Sequence, residues 1–433
     1  MIYPYAQLAD DPTSKIYISW IDVGSNTGAT QTLQYRKVGD SDYETVTSDG
    51  LAVPNASGEW KYEVLLTGLK NNTEYEGNIQ TGEDTKAIRF KTLPTRLWRS
   101  DLKVFVLSDI HIDSRTPGGM QNGNEMAEVR ALSPDILVIN GDVVTWGYEG
   151  NPAGTAMSTL VNDWIAFFSN HVDSLNGTES YLVPMVLSPG NHEVGNSSGW
   201  TGVGEVYPTL GFIQFFFSNV KDIPPIGKNY GIFTVGNYLN ILALDSHSAE
   251  AAEIGSWLDT GVFRDNGLLT LSFQHNPLLP TGSRVSEDLI NSENMRNAYG
   301  HRIFKARTTR VCFGGHIHTD KRTKELTVVS NEPQSGDFIS LGGNGYLVEA
   351  QAGDKIIVEY GEGYRSNRSA VSRWYDGYSL GGDDSYNTGF LVTIDDSAVQ
   401  VDTLRFRTGL VRSEEYTTAR IISADALALA SWM

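Results

Sequence analysis

The sequence predicts an α/β domain preceded by an all-β domain. Residues 1–95 consist of alternating apolar and polar runs, interrupted by turn-type clusters about every ten residues, without helical periodicity. From Leu97 onward, strand-length apolar runs alternate with helical segments. Six of these later runs end in Asp, Asn or His side chains. The fold class is therefore mixed, and the chemistry is expected in the second domain.

Strands in the amino-terminal domain are predicted at residues 15–21, 32–36 and 59–66. The segment 66–75 is typical of the tyrosine corner of immunoglobulin-like sandwiches, in which a tyrosine hydroxyl bonds to backbone a few residues upstream. Residues 90–94 close the domain and lead into a linker. A structural or docking role is expected for this domain, because such domains usually space or dock others.

The second domain begins with the apolar runs 104–111 and 136–142, and a short helix suits residues 126–132 between them. Apolar residues at helical spacing over 159–175 predict a helix that packs on a sheet. The further apolar runs are 182–192, 239–245, 268–275 and 310–318. The last predicted strands are 324–329, 346–360, 390–394 and 399–405. An Ala- and Leu-rich segment within 414–433 suits a docked or protruding helix.

Composition limits the function classes. A chain of 433 residues is long enough for two or three domains, and a net charge of −19 argues against nucleic acid as a partner. No stretch reaches transmembrane length, and the first twenty residues lack the pattern of a Sec signal peptide. Cytoplasm, export by another route and incorporation in a particle all stay open. Cys312 is the only cysteine, so no intrachain disulfide can form.

Side chains suited to metal binding follow the apolar runs: Asp109, His111, Asp142, Asn191, His192, His275, His316 and His318. Sheets in α/β proteins place their ligands at the carboxyl ends of strands, so these side chains are expected to converge. Mixed carboxylate, amide and imidazole donors suit Mn, Fe or Zn rather than Ca. Asp142 is the natural bridge, since a carboxylate can bind two ions. The sequence thus predicts a dinuclear, positively charged centre that holds a phosphate dianion.

The series Asp-x-His, Gly-Asp, Gly-Asn-His-Glu, a lone strand-end His and Gly-His-x-His resembles the signature of calcineurin-like metallophosphoesterases, and it extends from Ser108 to His318. The preceding β domain and its Thr-Leu-Pro junction resemble the purple acid phosphatase branch. This resemblance implies a fibronectin type III-like domain at 1–95, a four-layer α/β/β/α catalytic domain at 96–411 and a tail at 412–433.

The same resemblance implies residue roles. The first ion would be bound by Asp109, His111, Asp142 and His318. The second ion would be bound by Asp142, Asn191, His275 and His316. A hydroxide that bridges the ions would be the nucleophile. His192 would protonate the leaving oxygen or stabilise the transition state, and Glu193 would orient its neighbours. His171 is expected to be a core or surface residue and His301 a structural one. His247 is expected to support a ligand or to lie on the surface, with a position facing the pocket as the alternative.

Two departures from the purple acid phosphatase pattern concern the metals. That branch has Gly where this chain has His111, and Tyr where it has Thr145. Without the tyrosine ligand, an Fe(III)–phenolate centre loses its support. The expected cofactors are therefore two divalent ions, with Mn, Fe(II) and Zn open.

The predicted function is metal-dependent hydrolysis of a small phosphoester, either a monoester or a diester. One alternative is an adhesion or virus-particle component that keeps the fold for binding, with docking through the amino-terminal domain or the carboxyl-terminal tail. The full ligand set and His192 argue against that alternative. Another alternative is a metal-dependent nuclease, and the absence of a basic stripe argues against it. The role of the aromatic loop 361–388 stays open.

Overall fold

The fold is described by a computed structural model. It covers residues 1–24, 28–53, 56, 58–82, 84–97, 101–112, 124–144, 157–194, 215–219, 228, 230–246, 251–260, 268–279, 293–306, 309–316, 321–361, 388–406 and 409–417. Thr145, His247 and His318 lie outside the described residues, as do the segments 362–387 and 418–433.

Eight strands make up the amino-terminal part of the described chain. They are β1 (Ile2–Leu8), β2 (Ile16–Val23), β3 (Gln31–Lys37), β4 (Glu44–Ser48), β5 (Leu51–Ala52), β6 (Glu59–Leu66), β7 (Glu74–Thr81) and β8 (Asp84–Lys91). The three strands predicted here are confirmed, and β6 has the predicted bounds. The backbone N–H of Lys70 donates to the Tyr75 hydroxyl at 2.8 Å, which is the upstream bond expected of a tyrosine corner.

These strands enclose their own apolar core. Trp20 stacks on Tyr62 with ring centroids 5.4 Å apart, and Tyr75 stacks on Phe90 at 5.2 Å. All four rings are buried. Such pairs stabilise by about 1 kcal/mol beyond the burial of their area. The core therefore combines residues from both sheets of this part of the chain, since Tyr75 lies on β7 and Tyr62 on β6.

The next part of the chain alternates strands with helices. Its elements are β9 (Leu102–Leu107), α1 (Asn124–Ala131), β10 (Ile136–Ile139), α2 (Met157–Ala166), α3 (Asp173–Asn176), β11 (Tyr181–Leu182), β12 (Pro184–Leu187) and α4 (Asn191–Val194). A π-helical segment, Phe167–Val172, joins α2 to α3. The apolar face predicted over 159–175 packs inward, because Trp164, Phe167, Phe168 and Leu175 are buried in one cluster.

A second group of strands and helices follows. It consists of β13 (Gly231–Val235), β14 (Leu239–Leu244), α5 (Ala251–Asp259), β15 (Leu269–Gln274), the π-helical Arg296–Gly300, α6 (His301–Lys305) and β16 (Thr309–Gly314). Helix α5 buries Ile254, Trp257 and Leu258, whose spacing of three and four residues forms one face. No helix in the described ranges is long and apolar enough to cross a membrane.

The remaining elements are all strands. They are β17 (Lys321–Arg322), β18 (Leu326–Val329), β19 (Ile339–Ser340), β20 (Tyr346–Glu349), β21 (Val358–Gly361), β22 (Thr388–Ile394), β23 (Ala398–Arg405) and β24 (Gly409–Thr417). The single strand predicted over 346–360 is wrong, because a turn at Gly353, with φ +94°, separates β20 from β21. Strand β24 pairs with β23 and extends past residue 411, the predicted end of the domain.

Two large sheets face each other. The first has ten strands in the order β24-β23-β22-β9-β10-β12-β1-β2-β6-β5, and the second has six in the order β13-β14-β15-β16-β21-β17. One apolar core lies between these sheets. A second core lies between the first sheet and α1, α2 and the following π-helix, and a third lies between the second sheet and α5 and α6. The expected α/β/β/α layers are present.

The amino-terminal strands are continuous with the first large sheet. Strand β1 pairs in parallel with β12, with Ala6 opposite Pro184 and Gln7 opposite Met185. Strand β8 pairs in the same way with β11. This pairing across the predicted boundary at residue 95 was not expected from the sequence, because period-2 alternation does not identify a strand's neighbour.

Candidate metal centre

The described candidate ligands lie just after the strands, in turns or, for Asn191 and His192, at the start of α4. Strand β9 ends at Leu107, short of the predicted residue 111. The reason is local backbone geometry, since Asp109, His111, Asp142 and His316 have φ between +50° and +66° and cannot continue a strand. Only seven non-glycine residues in the described chain have positive φ, and these four candidate ligands are among them. Such strained residues cluster at functional sites.

The turns after β9 and β10 run side by side. The N–H of Asp109 donates to the carbonyl of Gly141 at 3.0 Å, and the N–H of His111 donates to the carbonyl of Asp142 at 2.9 Å. A parallel bridge joins Ile112 to Val144 just beyond. These backbone bonds fix the first two motifs against each other.

Asp142 lies at the centre of the side-chain cluster. Its Oδ2 is 3.0 Å from Nε2 of His275, 3.7 Å from Nε2 of His111 and 3.7 Å from Nε2 of His192. His111 Nε2 is also 3.8 Å from Oδ1 of Asp109. Both carboxylates and all three imidazoles are buried. Residues from three other segments of the chain thus converge on one carboxylate.

Asn191 connects the cluster to the second sheet. Its Oδ1 lies 3.2 Å from Nε2 of His275 and 2.8 Å from Nδ1 of His316. The backbone N–H of His316 in turn lies 3.0 Å from Oδ2 of Asp109. The neutral amide therefore bridges two imidazoles that come from neighbouring strands β15 and β16.

Two groups of ligand atoms, each within 4.8 Å of one another, are close enough to bind metal ions. One consists of His111, Asp142 and His192, and the other consists of Asp142, His275 and His316. Carboxylate oxygen with imidazole nitrogen is the donor set that suits Mn, Fe and Zn, so the residues present fit such ions. The first group includes His192, which the resemblance assigned to leaving-group protonation.

The electrostatics of the cluster favour cations. Burial alone would raise the pKa of Asp142, but His192, His275 and His111 hold it well below its usual range. Burial alone would lower the pKa of His275, but Asp142 and Asp109 raise it to about 10. The two carboxylates thus favour a positive charge at Nε2 of His275, whether that charge is a proton or a metal ion.

The tautomer of His275 is set by backbone. Its Nδ1 lies 2.8 Å from the carbonyl oxygen of Asn140. A carbonyl only accepts, so Nδ1 carries the hydrogen and Nε2 faces Asp142 and Asn191. Metal-binding histidines commonly donate their other ring N–H in this way.

Glu193 has the orienting geometry expected of it. Its carboxylate accepts backbone N–H groups from Asp142 at 2.7 Å, Val143 at 2.7 Å, Val144 at 3.2 Å and Gly190 at 2.9 Å. The side chain is buried. Glu193 therefore fixes the turn that carries Asp142 relative to the start of α4, which carries Asn191 and His192.

Glycines of the motifs leave room for these side chains. A Cβ on Gly141 would clash with the imidazole of His275, and one on Gly190 would clash with the carboxylate of Asp142. Gly141 also has φ +87°, a conformation that favours glycine. The Gly-Asp and Gly-Asn-His motifs thus reflect close approach of two turns.

Asn140 was not identified from the sequence. Its side-chain amide is buried and donates to the carbonyls of Gln274 and Phe313, each at 3.2 Å. It thereby ties the end of β10 in the first sheet to the ends of β15 and β16 in the second. The available signal was a small polar residue between an apolar strand and the Gly-Asp motif.

Ser108 and Ser188 also connect neighbouring segments of the chain, and they were not identified from the sequence either. Ser108 Oγ lies 2.6 Å from Oδ2 of Asp109 and 2.9 Å from the carbonyl of Asn140. Ser188 Oγ donates to the carbonyl of Leu244 at 2.7 Å, which again links the two sheets. Each serine directly follows a buried strand.

Two other histidines have structural surroundings. His171 is buried and its ring packs on Phe167. Nδ1 of His301 lies 3.2 Å from the carbonyl of Arg296 within the same helical segment. Neither belongs to a candidate metal group in the described part of the chain.

A profile of the calcineurin-like phosphoesterase family matches residues 102–320, about half of the chain. The chain belongs to this family. It is accordingly a metal-dependent phosphoesterase. The matched segment contains every predicted ligand, including His318, and it ends before β21.

Several solved structures are distantly similar to this phosphoesterase. A predicted phosphoesterase from Streptococcus pneumoniae TIGR4 is 14% identical, with a TM-score of 0.27, over 73% of this chain and 98% of its own. Zinc-bound wild-type Vps29 from Entamoeba histolytica is 11% identical, with a TM-score of 0.28, over 73% of this chain and 99% of its own. No curated protein sequence matches the chain.

Proposed function

We propose that this phosphoesterase hydrolyses a small phosphoester at a dinuclear centre in which Asp142 is shared by two divalent ions. The observation that supports this most directly is that Asp142 belongs to both groups of potential ligand atoms.

The remaining ligands are proposed from the family pattern together with the observed proximity of the side chains. The first ion would be bound by Asp109, His111, Asp142 and His318. The second ion would be bound by Asp142, Asn191, His275 and His316. The neutral oxygen of Asn191 limits the negative charge of the centre, so the bound ions would leave it positive and able to hold a phosphate dianion.

The chemistry divides between the ions and the chain. When bound, two divalent ions neutralise phosphoryl charge and lower the pKa of water toward neutrality. His275 keeps Nε2 directed at the centre through its bond to the Asn140 carbonyl. Glu193 and the backbone of His192 hold Asp142, whose Oδ1 accepts the His192 N–H at 2.9 Å.

His192 is the proposed general acid. Its ring packs edge-on against His111, with centroids 4.6 Å apart, and its Nε2 lies 3.7 Å from Oδ2 of Asp142, so it is adjacent to the proposed ions. Proton donation to a leaving alkoxide typically contributes a factor of about 10²–10⁴ in rate. The imidazole of His192 would then protonate the leaving oxygen.

The amino-terminal domain supports the finer assignment to the purple acid phosphatase-like branch. Its first sheet has the order β1-β2-β6-β5, and its second contains β8-β7-β3-β4. This corresponds to the A-B-E-D and G-F-C arrangement of immunoglobulin-like sandwiches. The bond from Lys70 to the Tyr75 hydroxyl is the corner expected in such a domain. We therefore propose a fibronectin type III-like domain at 1–95.

The test is hydrolysis of p-nitrophenyl phosphate and of bis-p-nitrophenyl phosphate by protein reconstituted with Mn²⁺. Wild type is expected to hydrolyse at least one of them, and the ratio of rates assigns monoesterase or diesterase activity. Asp142→Asn should lose activity by a factor of about 10³ and bind fewer ions, because the amide is a poor bridge. Removal of metal with EDTA should abolish turnover, and Mn²⁺ should restore it.

Asp402→Asn is the matched control, because Asp402 lies on β23 and bonds only to side chains of that hairpin in the described contacts. Full activity and metal content in Asp142→Asn would contradict the shared-carboxylate proposal. Binding of two ions with no hydrolysis of either substrate would favour the binding role instead. Digestion of a short oligonucleotide would favour the nuclease.

A further inference from the structure

Glu359 is a buried carboxylate outside the segment that matches the family. It lies on β21, is 0% exposed and comes 39 positions after the matched residues end at 320. A buried carboxylate is costly unless its oxygens accept hydrogen bonds, so its contacts indicate what it does.

In the described contacts, the side-chain carboxylate of Glu359 accepts hydrogen bonds from the chain around His275. Oε1 accepts the backbone N–H of Leu278 at 2.7 Å, and Oε2 accepts that of Leu279 at 2.9 Å. Oε1 also accepts the side-chain amide of Gln274, the residue before His275, at 3.1 Å. The carboxylate thus accepts hydrogen bonds from the residue before His275 and from two residues after it.

Two further hydrogen bonds fix the turn that follows His275. The guanidinium of Arg296 donates to the carbonyl of Leu278 at 2.9 Å. The N–H of Asn276 donates to Oγ of Ser246 at 2.8 Å. With Glu359, these bonds fix the backbone for four residues after His275.

The backbone of Glu359 is also bonded to Thr323, which follows the Gly-His-x-His motif in sequence. Its backbone N–H donates to Oγ1 of Thr323 at 2.9 Å, and the N–H of Thr323 donates to its carbonyl at 2.9 Å. Residue 359 therefore connects the turn after His275 with the strand that follows His318.

We propose that Glu359 is a positioning residue for the second metal ion, and that it acts by fixing His275. The inference rests on the proposed dinuclear centre. Glu193 and Glu359 then perform equivalent tasks, one for the turns of each sheet, since each buried carboxylate accepts the backbone N–H groups of a ligand-bearing turn.

The test compares Glu359→Gln with Tyr360→Phe by calorimetric titration of Mn²⁺ into metal-free protein. Gln has the size of Glu but only one acceptor oxygen, so one backbone N–H of the turn loses its bond. Loss of such supporting contacts typically weakens metal binding about 10- to 100-fold. Glu359→Gln should therefore bind one of the two ions at least about 10-fold less tightly than wild type does, and excess Mn²⁺ should restore hydrolysis.

Tyr360→Phe is the control for a purely structural role. Its hydroxyl donates to Glu414 at 2.7 Å, a partly buried bond on the adjacent residue that does not reach the His275 turn. This variant should unfold at a lower urea concentration than wild type and yet bind Mn²⁺ with the affinity of wild type. If Glu359→Gln loses stability and also binds Mn²⁺ as wild type does, the proposal is overturned.

Two further outcomes separate this inference from the proposed function. Wild type that binds two ions but hydrolyses nothing would contradict the function, while the change in affinity would still decide the role of Glu359. Wild type that binds no ion would overturn both. If Glu359→Gln does not fold, Arg296→Gln removes a bond to the same turn and should weaken Mn²⁺ binding in the same direction.

Discussion

Gly190 has to lack a side chain because its backbone lies against Asp142 of the candidate centre. An added Cβ would clash with Oδ1 and the backbone nitrogen of Asp142. These atoms cannot retreat freely, because Glu193 accepts the N–H of Asp142 and the N–H of His192 is bonded to its Oδ1. The glycine therefore acts through a neighbouring turn rather than through its own conformation.

Gly190→Ala is expected to displace Asp142 and to weaken Mn²⁺ binding and hydrolysis by a factor of about 10² or more, since small misplacements at such sites are costly. Metal content and rates on the two nitrophenyl esters measure this. Gly300→Ala is the control, because its added Cβ meets nothing closer than 3.4 Å. It should keep full activity and, as a helical glycine, be no less stable. Unchanged metal binding in Gly190→Ala would contradict this account.

At the scale of elements, the segment 215–219 joins the amino-terminal sheet to the catalytic part through buried Lys61. The ammonium of Lys61 donates to the Glu63 carboxylate at 2.8 Å and to Ser218 Oγ at 2.6 Å. Burial alone would raise the pKa of Glu63, but Lys61, Ser218 and Ser19 lower it. The ion pair is thus embedded in hydrogen bonds on both sides of the junction.

Lys61→Met should lower the free energy of unfolding by about 3 kcal/mol at neutral pH, because it leaves the Glu63 carboxylate buried without its cation. A carboxyl whose folded-state pKa is lowered stabilises above its ordinary pKa, and this stabilisation is lost as the pH falls through the folded-state value. The difference between variant and wild type should therefore shrink in acid. Urea unfolding at about pH 7 and about pH 4 measures the free energy of unfolding of wild type and of the variant at each pH.

The control for this experiment is Lys15→Met, which removes the exposed ion pair with Asp10 in the same domain. Exposed pairs contribute less than about 1 kcal/mol, so little change is expected. A destabilisation by Lys61→Met that is equal at both pH values would show that lost packing, rather than charge, is responsible.

At the scale of the whole molecule, β1 is an interior strand between β12 and β2. Removal of residues 1–95 would expose the backbone edge of β12, and it would uncover apolar residues that pack on Tyr5 and Leu8. The fragment 96–433 is therefore expected to aggregate or to unfold at a much lower temperature than the full chain. Thermal unfolding followed by circular dichroism tests this. A fragment with the full chain's melting temperature would instead favour two independent domains.

Local sequence patterns were sufficient to predict the mixed fold class and the phosphoesterase family. Period-2 alternation identified the amino-terminal strands, and donors at the ends of apolar runs identified Asp142 and the four described histidines next to it, His111, His192, His275 and His316. These inferences succeed because strand burial and donor chemistry are local properties of the chain. The groups that fix those donors in place could not be predicted from the sequence. Asn140, Glu359 and the pairing of β1 with β12 join residues far apart in sequence, and no local pattern specifies such partners.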